Sequence, residues 1–143
     1  MEESISGGIK EGIEVTPQTE LLDLVVDTAE ENCNLGVKIS LEELGKDGGI
    51  YAELGDGYTD TTYFNKQEIK TVPVLFMCRH KSQKKCLEWL FSISNYLQRL
   101  KKYPQGETVS WLDTTIAKEP AKIGRDEDGV YHYSCILNCK IYY

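Results

Sequence analysis

TVPVLFMCRHKSQKKCLEWLFSISNYLQRLKKY, residues 71–103, decides the fold. Over residues 71–80, Val72, Val74, Phe76 and Cys78 fall on one side of an extended chain, and Leu75 and Met77 on the other. That pattern reads as a strand buried on both faces. Pro73 lacks a ladder N–H, which places it near the strand start or on an edge. Ser82 can cap the next element, where the period changes. Cys86, Leu90, Ile93, Leu97 and Leu100 recur at helical spacing, and Leu87, Trp89 and Tyr96 widen the stripe. This helix is expected to end near Tyr103, before Pro104 and Gly106.

Downstream, residues 108–117 are rich in threonine and aromatics and read as a strand that Pro120 ends, before a polar turn at residues 124–129. Residues 130–143 complete a hairpin. Tyr131, Tyr133, Cys135, Leu137, Cys139, Ile141 and Tyr143 share one face; His132, Ser134, Asn138 and Lys140 share the other. Upstream, Thr16 and Pro17 start a helix with Glu20 in its first turn. Its apolar face is Leu21, Leu22, Leu24, Val25, Val26 and Ala29, and it fades near residues 32–34. Val37, Ile39 and Leu41 suggest a short strand, Gly45 to Gly49 a turn, and residues 50–54 a returning hairpin arm. Residues 55–66 read as a polar loop carrying Tyr58, Tyr63 and Phe64 as exposed or half-buried aromatics.

The expected fold is α+β: a mixed, largely antiparallel sheet with two helices on one face, in the order α-β-β-β-α-β-β. A chain of 143 residues closes one core but not two. Residues 16–143 are therefore read as a single domain. Residues 1–15, with several glutamates and glycines and no clean period, are read as a flexible acidic arm.

A formal charge of −7 argues against a protein that coats nucleic acid, and no sequence-specific nucleic-acid motif is visible. No apolar run is long enough to cross a bilayer, and no secretory signal precedes the first helix. The five cysteines are odd in number and sit mostly in apolar segments, as suits a reducing cytoplasm. Cys135 and Cys139 share a strand face but lie about 13 Å apart by strand rise, too far for one zinc. His80 and His132 have no partner at metal-ligand spacing and read as structural or surface histidines. The glycine turns lack a phosphate-loop pattern. The sequence thus predicts no catalytic residue, no cofactor and no metal. Lys81, Lys84 and Lys85 oppose the dipole at the start of the long helix, which suits an acidic neighbour. Arg125, Asp126, Glu127 and Asp128 form a charged hairpin tip. With Tyr58, Tyr63 and Phe64 they are the candidate interface residues, since polar loops projecting from a sheet are where contact surfaces are built.

The run SISNYLQRLKKYP at residues 92–104, then VSWLDTTIAKE at 109–119, the turn GRDEDGVYHYS and the aromatic end IYY resemble the minor capsid or tail-completion proteins of tailed phages and prophages of Gram-positive bacteria. The resemblance covers about the last 75 residues, and residues 1–15 and 55–66 carry no family-specific pattern. It implies a tail terminator: a structural protein, not an enzyme, that forms a ring, commonly hexameric, capping the tail tube and joining it to the head connector. Its partners would be itself, the tail tube protein and connector proteins, with no membrane. Its place would be the virion, at the head-tail junction, after assembly in the bacterial host cytoplasm. Alternatives are a head-side stopper or adaptor, a small module that binds a partner by β-augmentation, and, least favoured, an enzyme whose site gathers His132, Asp113 and Cys78.

Overall fold

The computed structural model describes residues 9, 10, 13–42, 44 and 48–143. Of the segment read as an arm, residues 1–8, 11 and 12 lie outside the described residues, as do Gly45, Lys46 and Asp47 of the expected turn. Strands β1 (Ile9–Lys10) and β2 (Ile13–Glu14) pair antiparallel as a small ribbon of their own. The remaining elements follow as α1 (Pro17–Asn32), β3 (Ile39–Ser40), β4 (Gly49–Leu54), β5 (Tyr58–Thr62), β6 (Glu68–His80), α2 (Gln83–Arg99), β7 (Ser110–Arg125) and β8 (Tyr131–Tyr142). The six strands from β3 to β8 form one sheet in the order β3-β4-β6-β8-β7, with β5 beside β6 below β4. All pairs are antiparallel except β3 with β4. The expected α+β class holds, with β5 added to the sheet and the β1-β2 ribbon standing apart from it.

Both helices start where their capping residues predict. Thr16 and Thr19 form a reciprocal capping box with Pro17 at the first helical position, and the Ser82 hydroxyl accepts from the Lys85 N–H. Leu21, Val25 and Ala29 from α1 and Cys86, Leu90, Ile93 and Leu97 from α2 are fully buried against Val74, Phe76, Cys135, Leu137, Cys139 and Ile141 of the sheet. At about 25 cal/mol per Å² of apolar surface removed from water, this layer is the chief stabilising term. The Cys135 and Cys139 thiols lie in it, and burial pushes both up to about 12, as small core hydrophobes would be.

Some expectations from the sequence do not hold. α2 stops at Arg99 rather than near Tyr103. Tyr103 leaves the helix to bury its ring 4.6 Å from that of Trp111, and its hydroxyl donates 2.7 Å to the Leu97 carbonyl, which a helix end leaves without a partner. Pro120 does not end β7. This edge strand pairs only with β8, and Pro120 falls where the register slips between Lys118↔Ile136 and Ala121↔Ser134, so the missing N–H costs no ladder bond.

Pro73 lies neither at a strand start nor on an edge, but inside the central strand β6. Its carbonyl accepts from the Gly55 N–H at 2.8 Å, on the side where the neighbour changes from β4 to β5. In an antiparallel strand a residue's N–H and C=O point to the same side, so the lost donor faces that gap. Within the segment read as a polar loop lies β5, which continues down β6 where β4 stops, from Tyr58↔Thr71 to Thr62↔Glu68. β3 and β4 are parallel, with Ile39 opposite Ile50, not the arms of a hairpin. The chain returns to its starting end before β4 begins, and the Glu30 carboxylate holds β3 in place by accepting the Ile39 N–H at 2.6 Å.

Nor is β6 buried on both faces. It is fully buried on the helix side only; Leu75 and Met77 on the other side are half-buried. Both helices cover the same face, and the opposite face of the sheet has no second layer among the described residues.

Candidate interaction surface

The seven candidate residues fall into two groups at opposite ends of the sheet. β6 and β8 pair from Ile69↔Tyr142 to His80↔Tyr131, a ladder about 36 Å long by strand rise. The turn between β5 and β6 projects beyond the first end and carries Tyr63 and Phe64. The tip between β7 and β8 projects beyond the other and carries Asp126, Glu127 and Asp128, with Arg125 at its base.

At the tip, Asp126 is not a free surface charge. One carboxylate oxygen accepts from the N–H groups of Asp128 and Val130, both at 3.0 Å. The other meets the Arg79 guanidinium at 3.4 Å and the His132 ring at 3.3 Å. The Val130 N–H, with His132, Asp128 and Arg79 adding to it, holds this carboxyl below the ordinary aspartate range despite partial desolvation. Arg125 lies over the Tyr131 ring at 5.7 Å, and Lys122 reaches the same ring and Gln83 of α2. Glu127 and Asp128 are exposed. Asp126 therefore shapes the tip, while Arg125, Glu127 and Asp128 are available to a partner.

This arrangement predicts that Asp126→Ala speeds amide exchange at Asp128 and Val130 by roughly tenfold or more, read by hydrogen exchange, with exchange in β6 unchanged. The pH dependence has a definite sign. The folded-state pKa lies below the unfolded value of about 3.9, so the protection is complete above that value and is lost as pH falls through the folded pKa. Unchanged exchange in the alanine variant would contradict this role.

At the other end, Phe64 is fully exposed, with a relative accessibility of 108%. Its turn is tightly held. The Tyr63 N–H donates to Gln67 at 2.8 Å, the Lys66 N–H to Tyr63 at 2.9 Å, and the Tyr63 ring stands edge-on to Tyr142 at 5.9 Å. Tyr58, also exposed, borders a polar hollow of about 240 Å³ with Asp60, Thr71, Asp113 and Lys140.

The bare face of the sheet holds a groove of about 420 Å³, which sequence reasoning missed. Leu44, Tyr51, Met77 and Ile123 line it together with Glu53, Arg79 and His132. Its residues come from five separate segments, so no local pattern marks it. The available signal was Ile123, an isolated apolar residue in the polar run 117–129 and 58% exposed.

The dispersed catalytic grouping does not come together. Cys78 and His132 both border the groove, but the Cys78 thiol points into the core, 3.8 Å from the Cys86 carbonyl, and burial drives its pKa far up. A thiol held protonated is no nucleophile. Asp113 borders the other hollow. His80 accepts the Ser82 N–H at 2.9 Å and packs edge-on against Trp89, a structural role at the start of α2. Among the described residues no group of three or more His, Cys, Asp or Glu is placed to hold a metal ion, and no helix is long and apolar enough to cross a membrane.

The described surface is thus a bare sheet face between two unlike projections. No curated protein matches the chain. A family model described as bacteriophage tail terminator protein matches residues 18–143, from the first turn of α1 to the final residue, and the family's role implies contact with the tail tube. With most of the chain covered by that match, this chain belongs to the bacteriophage tail terminator family, whose members are structural, non-enzymatic components of the virion tail.

Proposed function

We propose that the chain assembles as a ring on the end of the tail tube, stops tube growth there and offers its outer surface to the head connector. The observation that carries this reading is the placement of two unlike projections, the Phe64 turn and the Asp126 tip, at opposite ends of one rigid sheet. A surface of this kind suits heterologous contacts, in which one patch of each copy meets a different patch on the next, and such contacts form a ring when the rotation from copy to copy closes. Arg125, Glu127 and Asp128 at the tip, and Tyr58, Tyr63 and Phe64 at the other end, are the contact residues of this reading. A net charge of −7 keeps free copies apart until the tube gathers them.

The test is the mass of the purified protein by light scattering over a concentration series, alone and with tail tube protein. The expected result is a ring-sized species, formed alone or on the tube. A strict monomer in both conditions would overturn the ring and favour a small module that binds a single partner.

A further inference from the structure

We propose that the Phe64 turn of one copy docks into the groove on the bare sheet face of the next copy. The inference rests on the ring reading and supplies its interface. Phe64 is an aromatic side chain without cover, on a turn whose backbone and neighbouring rings are already fixed. Presenting an anchor in a set conformation lowers the ordering cost of binding. Single exposed apolar residues are common on protein surfaces; the match to a receiving site distinguishes this one.

The groove is lined by the apolar side chains of Leu44, Met77 and Ile123 and by Tyr51, with the polar groups of Glu53, Arg79 and His132 among them. Its volume of about 420 Å³ exceeds what one phenylalanine ring fills, so Phe64 enters with part of its turn. Charge agrees with shape. Lys66, exposed and two residues from Phe64, would approach Glu53 of the groove lining, whose carboxylate accepts the Tyr51 hydroxyl among its described hydrogen bonds. A chain cannot fill its own groove with its own turn. Met77 and Glu68, which mark the two places along β6, lie nine residues apart, about 30 Å by strand rise. The occupant is therefore a second copy, and the contact is head-to-tail.

The experiment uses the full chain, its Phe64→Ala and Ile123→Glu variants, and an equimolar mixture of the two, with tail tube protein present if the wild type requires it. Both positions are exposed, so thermal melts should match the wild type and confirm folding. Each variant alone is expected to self-associate at least about thirtyfold more weakly, the loss of a central aromatic anchor. The mixture is expected to yield heterodimers, because the Phe64→Ala chain keeps an intact groove and the Ile123→Glu chain keeps an intact turn. Wild-type assembly unchanged by Phe64→Ala would overturn the docking and leave the ring standing. So would two defective variants that form no heterodimer when mixed. Loss of tube binding with self-association intact would assign the turn to the tube and also overturn it. A wild type monomeric with and without tube protein would overturn the ring and the docking together.

Discussion

Replacing Trp111 by alanine should cost about 3–5 kcal/mol of folding stability, more than a change at any exposed position of the sheet. Trp111 is 1% exposed, although it sits on β7, the outermost strand. Three contacts depend on it. Its ring packs against Tyr103, which closes the end of α2; its indole N–H donates 2.9 Å to the Thr114 hydroxyl; and that hydroxyl lies 3.9 Å from the Cys139 sulfur in the core. Removing the ring opens a cavity and leaves a buried hydroxyl short of a donor, two costs that add. A loss of this size is a large share of the roughly 5–15 kcal/mol that holds such a domain together. The melting temperature should fall on the order of 10–20 °C. Leu112→Ala next to it, 45% exposed, should change stability by no more than about 0.5 kcal/mol. Urea unfolding of both variants checks the contrast, and a Trp111→Ala cost below about 1 kcal/mol would show that β7 is not anchored this way.

Gly48→Ala should be the next most damaging change, and Gly36→Ala is its control. Both glycines have left-handed backbone, φ +81° and +78°, which costs a residue with a Cβ about 1–2 kcal/mol. They differ in what the Cβ would meet. At Gly36 nothing lies within 4 Å, whereas at Gly48 an added Cβ would run into the backbone carbonyl oxygen of Arg79. That oxygen belongs to the backbone of the central strand and cannot swing aside. Gly48→Ala should therefore exceed Gly36→Ala by at least about 1 kcal/mol. It should also disturb the tip at a distance, because the Arg79 side chain meets Asp126. Faster exchange of the Asp128 and Val130 amides in Gly48→Ala, with no such change in Gly36→Ala, would demonstrate the link. Equal stability costs would refute the close approach.

The parts of this fold legible in the sequence are those whose pattern is local. Cys86, Leu90, Ile93 and Leu97 repeat at helical spacing and form the buried stripe of α2, and the alternation from Tyr133 to Ile141 is the buried face of β8. Thr16 and Ser82 mark both helix starts because capping is settled within four residues. Prolines misled where tertiary context removed their penalty. Pro73 and Pro120 each stand where the neighbouring strand provides no ladder partner, one at the change from β4 to β5 and one at a register slip. β5 escaped notice because all five of its residues are exposed and polar or tyrosine, so no buried face imposed a period. The parallel β3-β4 pair was equally hidden, since direction depends on the returning chain rather than on the strand residues.

The same division runs through the interaction surface. The tip was visible as a polar turn and the Phe64 turn only as part of a polar loop over residues 55–66, and the exposure of Phe64 and Tyr58 agrees with the loop aromatics read from sequence. What was not visible is the division of labour at the tip, where Asp126 turns inward to two backbone N–H groups and to Arg79 while its neighbours stay outside. Arg79 sits 47 residues from Asp126, a distance no local pattern spans. The bare sheet face was hidden for a related reason. Leu75 and Met77 are apolar enough to suggest a second covering layer, yet both helices pack on the other side. Apolar residues on an uncovered sheet face are expected where a partner supplies the missing layer.

Whether this chain limits the tail tube is tested most directly by electron microscopy of tubes assembled from tail tube protein. Added during assembly, the chain should shorten the tubes, narrow their length distribution and appear as a cap at one end, while tubes without it grow on with bare ends. Tubes of unchanged length with both ends bare, at saturating amounts of the folded chain, would contradict a terminating role.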